Sequence, residues 1–132
     1  MAYSVEKLLK AHELAHAGII FAPASFLVAN KQQLIDTCNG CGAADSWFRP
    51  PAYIWGTWIG AACVVHDWMY SYGATNEDKE EADRVFKHNM QRLIQRDAHY
   101  WYKPTKLQHA RSLLYYASVV NFGGSAFWKG KN

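Results

Sequence analysis

Ala62-Cys63-Val64-Val65-His66-Asp67-Trp68-Met69-Tyr70, answered downstream by Ala82-Asp83-Arg84-Val85-Phe86, is the pair of segments that decides how this chain folds. Apolar residues at 61, 62, 64, 65, 68 and 69 suit a helix buried over most of its surface. Into that helix the chain sets a histidine, a carboxylate and a tyrosine, and burying such groups costs free energy unless each finds a partner. His66 and Tyr70 stand i, i+4 and share a face, whereas Asp67 points about 100° away. Adjacent in sequence, His66 and Asp67 therefore need separate partners. A second helix carrying Asp83 and Phe86 supplies one for the His66 face, which predicts a His–Asp pair held across two helices.

Outward from this pair, Ser4 caps a predicted helix over 4–17, with Gly18 allowing the chain to turn, and Ser25 caps a second over 26–36. The buried helix is predicted over 57–72 and stopped by Gly73. Asn76 caps the next, over 76–100, and Thr105 a last one over 105–121, after the break at Lys103-Pro104. Leu107, Leu113, Leu114, Ala117 and Val120 are the apolar positions of that last helix. Glu77, Asp78, Glu80 and Glu81 fall in the first turns of their helix, where carboxylates favour the positive end of its dipole, so this acid cluster needs no metal to explain it. The stretch 37–57, with Pro50-Pro51, reads as a loop of a length that is usually functional or disordered. No strand pattern, repeat or second domain is evident. The expectation is one all-α domain over 1–132, with two long antiparallel helices carrying the His–Asp pair and further helices at the N- and C-terminal ends.

A chain of 132 residues, half of them hydrophobic, can build a core without staples. Six Trp, eight Tyr and six Phe either fill that core or grip the boundary between water and lipid headgroups. No apolar run approaches the ~20 residues that span a bilayer. Residues 1–10 carry Glu6, Lys7 and Lys10 without the pattern of a signal peptide, so synthesis in a cytoplasm is expected, with any export by another route. Three cysteines do not make a disulfide framework. The net charge of +3 hides an asymmetry: Arg84, Lys87, Arg92, Arg96, Lys103, Lys106 and Arg111 are opposed within their stretch by Asp97 alone. That is a solvated face or a surface drawn to anionic lipid or nucleic acid. No stacking or recognition-helix pattern favours nucleic acid, and none is expected as a partner.

The order Cys38-Asn39-Gly40-Cys41-Gly42, then His66-Asp67-x-x-Tyr70, then Ala82-Asp83-x-x-Phe86 resembles the phospholipase A2 superfamily over 38–90, closest to its short, disulfide-poor phage and bacterial members. The resemblance implies His66 as general base, Asp83 as the carboxylate that orients it, and Tyr70 donating its hydroxyl to Asp83. An imidazole suits that task because it exchanges a proton near neutral pH. The resemblance also implies calcium, with side-chain oxygens from Asp67 and loop carbonyls from Gly40, Gly42 and Ala44, or from Cys38, Gly40 and Gly42 in a register shifted by two. Calcium takes such hard oxygens and would act as Lewis acid for the oxyanion. In the first register Cys41 stands opposite Cys63, as in the family's loop-to-helix disulfide. The span from Gly42 to His66, with Trp47, Trp55 and Trp58, is longer than in the secreted enzymes. The implied function is calcium-dependent hydrolysis of glycerophospholipid acyl esters at a membrane surface, with a phage particle as a natural setting.

Other readings compete. His12-Glu13-Leu14-Ala15-His16 is a His-Glu-x-x-His on a helix, which sets two imidazoles on one face for zinc with Glu13 as base, the pattern of metallopeptidases. Only eleven residues precede it, too few for the sheet that holds a peptide substrate, and its third ligand would have to come from the cluster 77–81. His12 and His16 serve otherwise as polar-face residues or line the lip of a lipid site. Cys38-x-x-Cys41 allows a zinc or redox pair, a loop disulfide or free thiols. A different class altogether is a structural or virion component that keeps the fold without turnover.

Overall fold

The computed structural model describes residues 4–39 and 53–131. It is mostly helical: α1 (Val5–His16), α2 (Ala24–Leu27), α3 (Lys31–Asn39), a hairpin of β1 (Tyr53–Ile54) and β2 (Thr57–Trp58), then α4 (Gly60–Tyr72), α5 (Asn76–Asp97), α6 (Thr105–Phe122) and α7 (Gly124–Trp128). Ser4 caps α1, its hydroxyl accepting from the Lys7 amide at 3.2 Å. Leu8, Ala11, Leu14 and Ala15 form the buried stripe of that helix. Gly18 follows at φ +76°, and the Ile19 amide reaches back to the Leu14 carbonyl at 3.0 Å, so a left-handed residue closes the helix as it commonly does.

The predicted helix over 26–36 is two. Ser25 does not cap it; its hydroxyl accepts from the Trp68 indole at 3.0 Å. The break falls at 28–30, because Asn30 and Gln33 exchange side-chain bonds to one another's amides, both at 2.8 Å, and so start α3 afresh. The absence of strands is also corrected. Tyr53 pairs with Trp58 and Ile54 with Thr57 across the two-residue turn Trp55-Gly56, both at positive φ. That geometry matches the twist of the strands, and a hairpin with two-residue strands has no alternation to read.

α4 and α5 lie antiparallel across the short link at 73–75. Thr75, not Asn76, caps α5, sharing a capping box with Asp78. α4 buries Ala61, Ala62, Val64, Val65, His66, Trp68 and Tyr70; α5 answers with Ala82, Asp83, Val85, Phe86, Asn89, Met90, Leu93 and Ile94. Asn89 pins the chain between α1 and α2, accepting from the Phe21 amide and donating to the Phe21 carbonyl, each at 2.8 Å.

α6 is turned the opposite way from an ordinary amphipathic helix. Gln108, Ser112 and Val119 are its buried residues, and Gln108 donates to the Ile54 carbonyl and the Thr57 hydroxyl, both at 2.9 Å, to hold the hairpin. Leu107, Leu113, Leu114 and Val120 face solvent. At its end Gly123 lets α7 fold back onto α4: a Cβ there would stand 2.6 Å from the Tyr70 hydroxyl and 2.5 Å from the Val119 carbonyl oxygen. Gly123→Ala is therefore expected to destabilise the protein by about 1–3 kcal/mol through overpacking. Urea unfolding checks it; a stability equal to wild type would mean that both the Val119 carbonyl and Tyr70 give way without cost.

Candidate active site

His66, Tyr70 and Asp83, three residues singled out in the sequence, meet at the α4–α5 contact. His66 Nε2 lies 2.8 Å from Asp83 Oδ1, and the Tyr70 hydroxyl donates to the same oxygen at 2.7 Å. The His66 imidazole lies between two rings, with Tyr70 at 4.1 Å and Phe86 at 4.7 Å between centroids. These contacts fix the plane of the imidazole, and the Asp83 bond fixes its direction.

The other oxygen of Asp83 is taken by a residue that the sequence reading passed over. Lys79 Nζ donates to Asp83 Oδ2 at 2.7 Å and to the Val119 carbonyl at 2.9 Å, so it also ties α5 to α6. Asp83 is 2 % exposed and Lys79 13 %. The signal was the i, i+4 spacing of Lys79 and Asp83, hidden inside a cluster otherwise read as acid at a helix start. Burial opposes ionisation of Asp83, but hydrogen bonds from His66, Lys79 and Tyr70 outweigh it and hold the carboxyl below the ordinary carboxylate value. Burial and then the bond to Asp83 push the Tyr70 hydroxyl far above its ordinary value, so it remains a donor. With Asp83 ionised, His66 Nε2 carries the proton that it donates. Nδ1 is then the ring nitrogen left to accept one.

Asp67 is half-buried on α4, one turn beyond Cys63. The other expected calcium ligands, Gly40, Gly42 and Ala44, lie outside the described residues, as does Cys41. Among the described residues no group of three or more His, Cys, Asp or Glu side chains comes together. Cys63 stands as a thiol on α4, and Cys41, the partner that the resemblance implies for it, lies outside the described residues. Burial, and secondarily the charge of Asp67, push the Cys63 pKa to about 12. Cys63 is accordingly expected to resist alkylation by iodoacetamide at pH 8 in the native protein and to react once unfolded, because the thiolate is the nucleophile. Peptide mass spectrometry reads this directly, and rapid native labelling of Cys63, which is partly exposed, would contradict the raised pKa.

The His12-Glu13-x-x-His16 residues have other work. His12 Nε2 donates to the Phe26 carbonyl at 2.9 Å and His16 Nε2 to the Leu27 carbonyl at 2.8 Å. Both imidazoles thus satisfy main-chain carbonyls at the end of α2, and Glu13 points to solvent. Cys38 is buried, its thiol reaching the Val64 carbonyl at 3.7 Å. In the acid cluster, Asp78 caps α5 and Glu81 pairs with Arg84.

Residues 51–103 match a family described as "Protein of unknown function (DUF1353)". The match takes in the hairpin, α4 and α5, and so the whole His66–Tyr70–Lys79–Asp83 cluster. No curated protein and no solved structure matches the chain. The resemblance to the phospholipase A2 superfamily is therefore overturned: two of the three segments that carried it, His66–Tyr70 and Ala82–Phe86, lie within a stretch similar to a family described only as of unknown function, and nothing found points to a phospholipase A2. The physical reason is that the residues common to these motifs, His66, Tyr70 and Asp83, satisfy one another locally across α4 and α5. Such a pair marks a local solution, and similar constellations arise on unrelated folds. Among the described residues no helix is long and apolar enough to cross a membrane.

Proposed function

We propose that this protein is a hydrolase of acyl esters in which His66 is the general base and Asp83 the carboxylate that orients it, with glycerophospholipids as the substrate class. The observation that carries the reading is the 2.8 Å bond from His66 Nε2 to an Asp83 held ionised by Lys79 and Tyr70, which leaves Nδ1 as the basic nitrogen. In the step proposed, Nδ1 takes a proton from water as the water oxygen attacks the ester carbonyl carbon. The imidazolium so formed is stabilised by Asp83 and returns the proton to the departing alkoxide as the tetrahedral intermediate collapses. Lys79 and Tyr70 are positioning residues: they keep Asp83 charged and fixed, and touch no substrate. Lipid is the favoured substrate because Tyr53, Trp55, Tyr100, Trp101 and Tyr102 are exposed, as aromatics that sit among headgroups are.

Calcium, bound at Asp67 with carbonyls from Gly40, Gly42 and Ala44, would supply a Lewis acid for the oxyanion. Among the described residues Asp67 alone stands for a site that takes about six to eight oxygens, so the base step is derived from His66 without it. The deciding assay is fatty-acid release from mixed phosphatidylglycerol and phosphatidylethanolamine vesicles, with calcium or a chelator, for wild type and His66→Ala. Release that is lost in the variant supports the reading, and its calcium dependence decides the metal. Absence of release by folded wild type would overturn it.

One observation favours a second reading, a structural role with no turnover. Asp83 receives three donors, from His66, Tyr70 and Lys79, and a buried network satisfied in this way would stand without any reaction. On that reading His66→Ala alters stability alone.

A further inference from the structure

The outer face of α6 has no counterpart in the chemistry proposed for His66. At 100° per residue, Leu107, Ala110, Leu113, Leu114, Ala117 and Val120 fall within a sector of about 140°, which holds Lys106 and Asn121 as its polar members, on the side away from buried Gln108, Ser112 and Val119. Leu114 is 60 % exposed. Nothing among the described residues covers this face. Just before α6 stand Tyr100, Trp101 and Tyr102, with Trp101 93 % exposed.

Charge selects the occupant. α6 contains Lys106 and Arg111 and no Asp or Glu. Two copies packed through this face would bring like charges together with no acid on the helix to answer them, whereas an anionic surface complements them. Beside the face, α5 and α6 enclose an open groove of about 530 Å³ lined by His88, Gln91, Arg92, Gln95 and His109, without a carboxylate. These side chains offer N–H donors suited to a phosphate oxygen. Exposed leucines, a nearby Trp, Lys106 at the first turn and Arg111 beside the sector are residue types that meet a bilayer interface.

We propose that the outer face of α6 docks on an anionic phospholipid bilayer, with the groove of His88, Arg92 and His109 taking a headgroup phosphate. Docking here is separate from the chemistry at His66. It places Leu107, Leu113 and Leu114 at the acyl boundary, with Arg111 beside them at headgroup level and the Lys106 ammonium reaching that level along its methylene stem.

The test is co-sedimentation with vesicles of phosphatidylglycerol and phosphatidylcholine, against phosphatidylcholine alone, for wild type, Leu107→Asp/Leu114→Asp, Arg92→Gln/His109→Gln and His66→Ala. Wild type should sediment with the anionic vesicles and release in high salt, as a screened attraction does. The leucine variant should lose at least about tenfold in partitioning, since each leucine exchanges burial for a charge. The groove variant should bind the anionic vesicles several-fold less tightly, and His66→Ala should bind like wild type whether or not it hydrolyses anything. Inorganic phosphate added as competitor should leave docking largely intact; complete displacement would mean a free-phosphate site and overturn the bilayer. Failure of wild type to sediment, or undiminished binding by the leucine variant, would overturn the proposal. So would a wild-type dimer in sedimentation velocity that the leucine variant dissolves, which would make a second copy the occupant. The substituted leucines are solvent-exposed, and the groove variant reads the same proposal from a different set of side chains.

Discussion

Asp83→Ala is expected to lower the free energy of unfolding by about 3–5 kcal/mol at neutral pH, the cost of breaking a buried ion pair from one side. Truncation strands the Lys79 ammonium with the Val119 and Val120 carbonyls as its remaining acceptors, and removes the oxygen that satisfies both His66 and Tyr70. Lys79→Met should cost less, because Asp83 then keeps two donors. The double variant should be more stable than the sum of the two losses implies, since it removes both charges together. Equilibrium urea unfolding of the four proteins measures the coupling directly. The same carboxylate sets an acid limit. Its folded value is depressed, so its contribution is present above its ordinary value of 3.8 and is lost as pH falls through that value toward the folded one. Wild-type stability should therefore fall steeply below about pH 4, and Asp83→Ala should show a smaller part of that fall. Additive single losses would mean that Lys79 and Asp83 do not share a network.

The second large effect is on rate. His66→Gln is expected to lower kcat for ester hydrolysis by about 10²–10⁴-fold, the contribution typical of a positioned general base. Glutamine still offers an N–H toward Asp83, so stability should change far less than in Asp83→Ala. The separation of the two readouts matters because a purely structural histidine would do the reverse, moving the unfolding midpoint and no rate. Tyr70→Phe belongs in the same series. It removes a donor from Asp83 without touching Nδ1, so it should reduce kcat modestly through a looser imidazole, and an effect as large as that of His66→Gln would put Tyr70 in contact with substrate.

The two-helix dyad was legible because its logic is local: a histidine and a carboxylate on otherwise apolar helices at matched positions must satisfy one another. Helix ends were legible where side chains cap them, as at Ser4, and misplaced by one residue where two candidates adjoin, as at Thr75 and Asn76. Lys79 escaped notice because its role depends on the approach of α6, whose Val119 carbonyl completes its partners. The break between α2 and α3 was written in Asn30 and Gln33 but outweighed by the apolar pattern on either side. The expectations placed on Gly40, Gly42, Ala44 and Cys41 lie outside the described residues. The family resemblance failed because short motifs report local chemistry, which recurs without common descent.

By itself the sequence determined the predominance of helix, the burial of α4 and the partnership of His66 with Asp83, because periodicity and the cost of an unpaired buried charge act within one or two helices. Tertiary structure alone decided that Lys79 would complete the network, that His12 and His16 would hold α2, and that α6 would turn Gln108 inward and its leucines to solvent. Those outcomes depend on which surfaces meet. Gln108 is worth burying only because the hairpin presents the Ile54 carbonyl and the Thr57 hydroxyl to it, at a separation of more than fifty residues along the chain.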